Sequence, residues 1–189
     1  MKSIFVFLLV CNVAVGFGQD SKKAIENGFI GYSQTLVNKD FHKMADYITE
    51  EVFTYLAKDD YIRLMQKTFN SPDFDITIKD PKLVTIGDVQ NIKGKYYSIV
   101  DYSNLLNIKL KPENDGLANT MAVKRSLESG FGAVNVNYDE KAKLFVIHMK
   151  SKMCAISADG VNNWKFVALE ANLKPMLGKF LPVEILKAI

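Results

Sequence analysis

Cysteine is nearly absent: the 189-residue chain holds two, Cys11 and Cys154. Cys11 falls in an N-terminal stretch read below as a leader, which leaves Cys154 alone and excludes a disulfide framework. Cys154 sits within Met153-Cys154-Ala155-Ile156, an apolar, strand-like setting with no His or second Cys beside it, so a buried, inert thiol is expected. Histidine is equally scarce, and neither His42 nor His148 belongs to a His-x-x-x-His, Cys-x-x-Cys or clustered-carboxylate pattern. A transition-metal site is therefore not expected, and solvated or rim positions account for both residues. An excess of one charge is missing too. With 24 basic against 21 acidic residues, a net +3 and no charge blocks, the chain gives no electrostatic footprint for nucleic acid or a polybasic membrane anchor. The 5 prolines and 11 glycines gather into no linker and no repeat is present, which predicts one domain over residues 19–189.

What is present begins with an address. Lys2 precedes the unbroken apolar run Ile4–Val10, and the small residues Ala14, Gly16 and Gly18 follow before Gln19-Asp20. This is the order of a secretory signal peptide, predicting a leader over 1–18, a mature start at Gln19 and a periplasmic or secreted product. A membrane-spanning helix would need about 20 predominantly apolar residues, and Asn12 interrupts this one. Leu8-Leu9-Val10-Cys11 faintly resembles a lipobox, but Val10 stands where a small residue belongs.

The mature segment opens with helical periodicity. Ser21 is a candidate N-cap for a helix whose Ile25, Phe29, Tyr32 and Leu36 share a face, ending at Asn38-Lys39. Asp40 can cap a short second helix through Phe41, Met44, Ala45 and Ile48. Asp59 or Asp60 can cap a third, with Tyr61, Leu64, Met65 and Phe69 as its buried stripe and Asn70-Ser71-Pro72 as its stop. The period then falls to two. Phe74, Ile76 and Ile78 alternate with polar residues up to Pro81, and Leu83–Ile86 reads as a second strand or a bent extension of the first. A turn at Asn91–Gly94 leads into a long strand over 95–110, a loop over 111–119, a helix over 121–129 stopped by Gly130, and strands over 133–138, 143–156 and 163–169. Pro182 opens a last short helix. Helices followed by antiparallel strands with one inserted helix define an α+β layer fold, with Phe74, Ile76, Val134, Val136, Phe145, Ile147, Met149, Trp164 and Phe166 expected inward.

This order of elements resembles the nuclear transport factor 2-like superfamily, and the segments Ala45-Asp46-Tyr47-Ile48, Asn163-Trp164-Lys165-Phe166 and Leu181-Pro182-Val183-Glu184-Ile185 are similar to those of secreted proteins of Bacteroidota. The resemblance implies N-terminal helices packed on a curved antiparallel sheet, the cystatin/nuclear transport factor 2-like cone. That superfamily holds isomerases, dehydratases, binding modules and immunity proteins, so the fold does not choose an activity.

Chemistry-bearing motifs are few. Gly130-Phe131-Gly132 runs from helix to strand, the reverse of a phosphate-cradling loop, and neither Ser129 nor Ser157 sits in a nucleophile elbow. No cofactor motif is found and none is expected. Within Tyr96–Tyr102, Asp101 becomes a candidate proton-transfer group if Tyr97, Ile99 and Asp101 face inward; Tyr96, Val100 and Tyr102 form an equally good inward set that leaves Asp101 in water. The later strands are apolar on both faces, as in Lys165, Val167 and Leu169 opposite Trp164, Phe166 and Ala168. The outer face then calls for a cover, either a second copy in a homodimer or the segment Leu173–Ile189. The expectation is a non-enzymatic, exported domain that binds a small apolar ligand near Tyr47, Tyr61, Tyr97 and Trp164, or an envelope protein. The rivals are an isomerase- or dehydratase-like enzyme using Asp101 and a structural role through the sheet face.

Overall fold

A computed structural model describes residues 12–189. Lys2, the apolar run and Cys11 of the expected leader lie outside the described residues. The first helix, α1 (Asn12–Val37), is continuous through the expected cleavage point. Ser21 is accordingly not an N-cap but a fully buried residue inside the helix, its hydroxyl donating to the Gly160 carbonyl at 2.5 Å. At the other end Lys39 takes a left-handed φ of 56°, the Asp40 N–H bonds Thr35 O and the Lys39 N–H bonds Leu36 O, the two-bond closure that satisfies a helix end. Asp40 then caps α2 (Phe41–Ala45), accepting from the Lys43 N–H.

A short helix not foreseen, α3 (Glu50–Phe53), precedes α4 (Lys58–Phe69). Neither Asp59 nor Asp60 caps α4; both lie in its first turn, where their charge favours the helix N-terminus. Its buried positions are Ile62 and Phe69, seven apart, while Leu64 is 53% exposed. The reason is tertiary: α4 leans on α2 through Ile62 and Phe69, joined by Phe41, Met44 and Ala45, and Leu64 falls outside that contact.

The strands are β1 (Phe74–Ile86), β2 (Gln90–Ile92), β3 (Lys95–Leu110), β4 (Val136–Asp139), β5 (Leu144–Ser157) and β6 (Lys165–Ala168). All pair antiparallel in the order β1-β3-β5-β4, with β2 beside β3 and β6 beside β5. β1 is the bent extension, not two strands. Its register with β3 shifts between Lys79 and Lys82, where Asp80 has φ 49° beside Pro81, and this charged bulge blunts an otherwise bare sheet edge. The β2–β3 turn places Lys93 and Gly94 at φ 54° and 83°, as a tight hairpin demands.

Between β3 and β4 lies α5 (Leu117–Phe131), longer than the stretch expected, with Gly132 (φ 84°) rather than Gly130 as its stop. Val134, expected inward, is 96% exposed because Ala133–Asn135 is a 3-10 turn and β4 starts only at Val136. The other expected inward residues share one face of the sheet. The chain closes with α6 (Lys174–Leu177) and α7 (Val183–Leu186).

The sheet is covered on both sides where its strands are apolar on both sides. On one face, Ile25 and Phe29 of α1 pack on Val100, Met153, Ala155 and Phe166. On the same face, Val123, Leu127 and Phe131 of α5 lie over Ile108, Phe145 and Ile147. On the far face Leu177, Leu181 and Ile185 bury Tyr97, Cys154, Ile156 and Val167. The chain's own C-terminal segment thus supplies the cover that β6 and the end of β5 require. Burial of each such side chain contributes ~1.5–3 kcal/mol, which lets packing hold the structure without a crosslink. Cys154 is free and fully buried, and burial pushes its thiol up to about 12. No helix among the described residues is long and apolar enough to cross a membrane.

Candidate functional site

The largest hollow described, about 680 Å³, opens between α1, the end of α2 and the entry to β6. Its position follows from two local devices. The first is the chain after α2. Ile48 bridges Phe166 in parallel, the Phe166 N–H bonds Tyr47 O at 2.7 Å, and the Thr49 N–H bonds Phe166 O at 3.2 Å. This short ladder sets Tyr47 beside Trp164. Two glycines make room: a side chain at Gly28 would meet the Phe166 ring at 3.2 Å, and one at Gly31 would overlap the Tyr47 hydroxyl. The three-residue spacing puts both on one helix face.

The second device is the β5–β6 connection, a wound loop that leaves β5 at Ser157 and reaches Trp164. Asp159 accepts from the Val161 and Asn162 N–H groups at 2.9 and 2.8 Å, and the Ser157 hydroxyl donates to Asn162 O at 2.7 Å. These backbone N–H bonds hold the Asp159 carboxyl below its ordinary value. Gly160 and Asn163 both take left-handed backbone, φ 73° and 53°, and the Ser21–Gly160 bond ties the loop to α1. The result presents Asn162 and Asn163 at the cleft, opposite Asn27 of α1. None of the three amides makes a side-chain hydrogen bond among the described residues.

Two of the three cations at the cleft are paired with carboxylates, and the third, Lys165, meets only a backbone carbonyl. Lys43 pairs with Asp40 at 3.0 Å, Lys58 with Asp46 at 2.6 Å, and Lys165 donates to the Asp46 carbonyl at 2.5 Å. Trp164 is different. It is 4% exposed, it lines the cleft, and its indole N–H is one of three buried side-chain polar atoms among the described residues with no hydrogen-bond partner. Leaving such a donor unmet costs ~1–3 kcal/mol.

Of the expected pocket residues, Tyr47 and Trp164 come together here; Tyr61 and Tyr97 do not. Tyr61 packs edge-on against Phe53 at 5.8 Å, and burial pushes its hydroxyl up to about 12. Tyr97 lies on the far face and lines a separate hollow of about 430 Å³ with Phe180 and Pro182. Asp101 also lies on the far face, paired across the strands with Lys152, while Tyr96, Val100 and Tyr102 take the face toward α1. Its carboxylate accepts from the Thr85 hydroxyl, and it lines a hollow with Val84, Ser103, Lys150 and Glu170. Polar and apolar side chains share that hollow, Val84 and Leu169 among the apolar ones. His42 and His148 are exposed, and among the described residues no group of three or more His, Cys, Asp or Glu is placed to hold a metal.

The residues missed at the sequence level are Asn27, Gly28, Gly31, Asn162 and Asn163. The signals were the glycine pair inside a helix and the turn-forming residues Asp159, Gly160, Asn162 and Asn163. No protein-family model matches the chain, and no curated protein matches it in sequence.

Proposed function

We propose that this chain is an exported binding domain whose ligand seat is the α1–α2–β6 cleft. One observation carries the reading: Trp164, whose buried indole N–H is unmet, lines an open hollow whose walls are fixed by a pinned loop and a short strand bridge. Export rests on the charged start, apolar run and small residues of 1–18. A binding role is favoured over proton transfer because Asp101 lies on the far face of the sheet, away from this cleft, with its carboxylate engaged by the Thr85 hydroxyl. The cover that Leu177, Leu181 and Ile185 give the far face removes the main ground for a homodimer through the sheet. The nuclear transport factor 2-like cone is supported by the leading helices, the long strands β1, β3 and β5, and the helix inserted before β4.

Trp164 is the only tryptophan, so its emission reports this site without labelling. A screen of small molecules of mixed chemistry, followed by that emission, is expected to return ligands that bind far less tightly to the Asn162→Ala/Asn163→Gly double variant. Hits indifferent to the double variant, or no hits, contradict the seat.

A further inference from the structure

We infer that the cleft takes a neutral, hydroxyl-rich ligand, a mono- or oligosaccharide, an inference that rests on the seat proposed above. The hydrogen-bonding capacity at the cleft is carried by amides. Asn27, Asn162 and Asn163 each offer an N–H₂ donor and a carbonyl acceptor not used within the protein, the pairing that a hydroxyl group, itself donor and acceptor, satisfies twice over. Carboxylate or phosphate ligands call for unengaged cations. Here Lys43 is paired with Asp40 and Lys58 with Asp46, which leaves Lys165, bonded to the Asp46 carbonyl, as a single cation beside three amides.

An apolar ligand fits no better. It would strip water from three amides and give nothing back, weakening binding by roughly tenfold or more for each group left unpaired. The half-buried Tyr47, its hydroxyl end packed against the bare backbone of Gly31, adds an aromatic side chain to the lining. A hollow of about 680 Å³ has room for more than one ring.

The test titrates the purified protein with neutral disaccharides (maltose, cellobiose, lactose and chitobiose), with glucuronic acid as an acidic probe and an anilinonaphthalene dye as an apolar one. Trp164 emission and calorimetry are the readouts. Saturable binding of at least one neutral sugar is expected, weakened about tenfold or more in Asn162→Ala/Asn163→Gly. That variant spares the loop, because the bonds of Asn162 within it are made by its backbone and glycine accepts the positive φ of residue 163. Asn27→Ala, an exposed helix position where alanine favours the helix, repeats the test away from the loop. Glucuronic acid or the dye binding with the same variant sensitivity, while every neutral sugar fails, overturns the saccharide class and leaves the seat standing. Neutral sugars that bind without moving Trp164 emission, with full affinity for both variants, overturn both. Failure of all these probes overturns the saccharide class and leaves the seat to the wider screen.

Discussion

Replacing Gly160 by alanine is expected to destabilise the protein by about 2–4 kcal/mol in chemical denaturation, among the larger losses that a single methyl group can cause. Two costs add. The backbone at residue 160 is left-handed, φ 73°, which an L side chain occupies at ~1–2 kcal/mol. The new Cβ would also stand 2.7 Å from Cγ and Cδ1 of Tyr96, the rigid inner part of a ring, and such overpacking costs ~1–3 kcal/mol. The lower chain entropy of alanine in the unfolded state returns ~0.4–1 kcal/mol. Gly94→Ala is the control: its φ of 83° is equally left-handed but nothing lies within 4 Å of the added carbon, so the backbone cost of ~1–2 kcal/mol, less the same unfolded-state return, leaves a net loss of about 1 kcal/mol. Equal losses at the two glycines would mean that the loop does not hold Gly160 against Tyr96 and that the cleft wall is not fixed as described.

The second large effect lies on the far face. Leu177→Ala and Ile185→Ala, both at fully buried positions, are each expected to cost ~2–5 kcal/mol, whereas Val183→Ala, at a position 64% exposed, should stay within ~0.5 kcal/mol of zero. The contrast within one short segment tests whether the C-terminal helices, and not a second copy, cover Tyr97, Cys154 and Ile156. A cover made by a second copy would make the midpoint depend on protein concentration and leave the two buried positions nearly silent.

How far the sequence revealed this arrangement depended on whether the governing physics was local. The strand over Lys95–Leu110 and the cap at Asp40 were legible because a turn followed by a β-branched and aromatic stretch, and a side-chain bond to a nearby N–H, need only neighbours. Ser21 was not, because its partner, the Gly160 carbonyl, lies 139 residues away and turns a good capping residue into a buried anchor. Leu64 and Ile62 exchanged roles in α4 because the partner helix, not the apolar count, chose the inward side. Val134 kept the strand alternation on paper but fell in a turn set by the left-handed backbone at Gly132. At the site, Tyr47 and Trp164 could be named from their amphipathic character. Their separation from Tyr61 and Tyr97 could not, since it depends on which sheet face each one takes and on the parallel bridge between Ile48 and Phe166.

The most direct measurement follows a single nucleus. One tryptophan gives one indole N–H resonance, well apart from the backbone amides in a nitrogen–proton spectrum. With no acceptor in the free protein, that proton should resonate upfield of hydrogen-bonded indoles, and it should shift as a ligand occupies the cleft that Trp164 lines. An indole proton already hydrogen-bonded in the free protein, or one that stays fixed while ligand shifts resonances elsewhere, would contradict the assignment of this cleft as the binding seat.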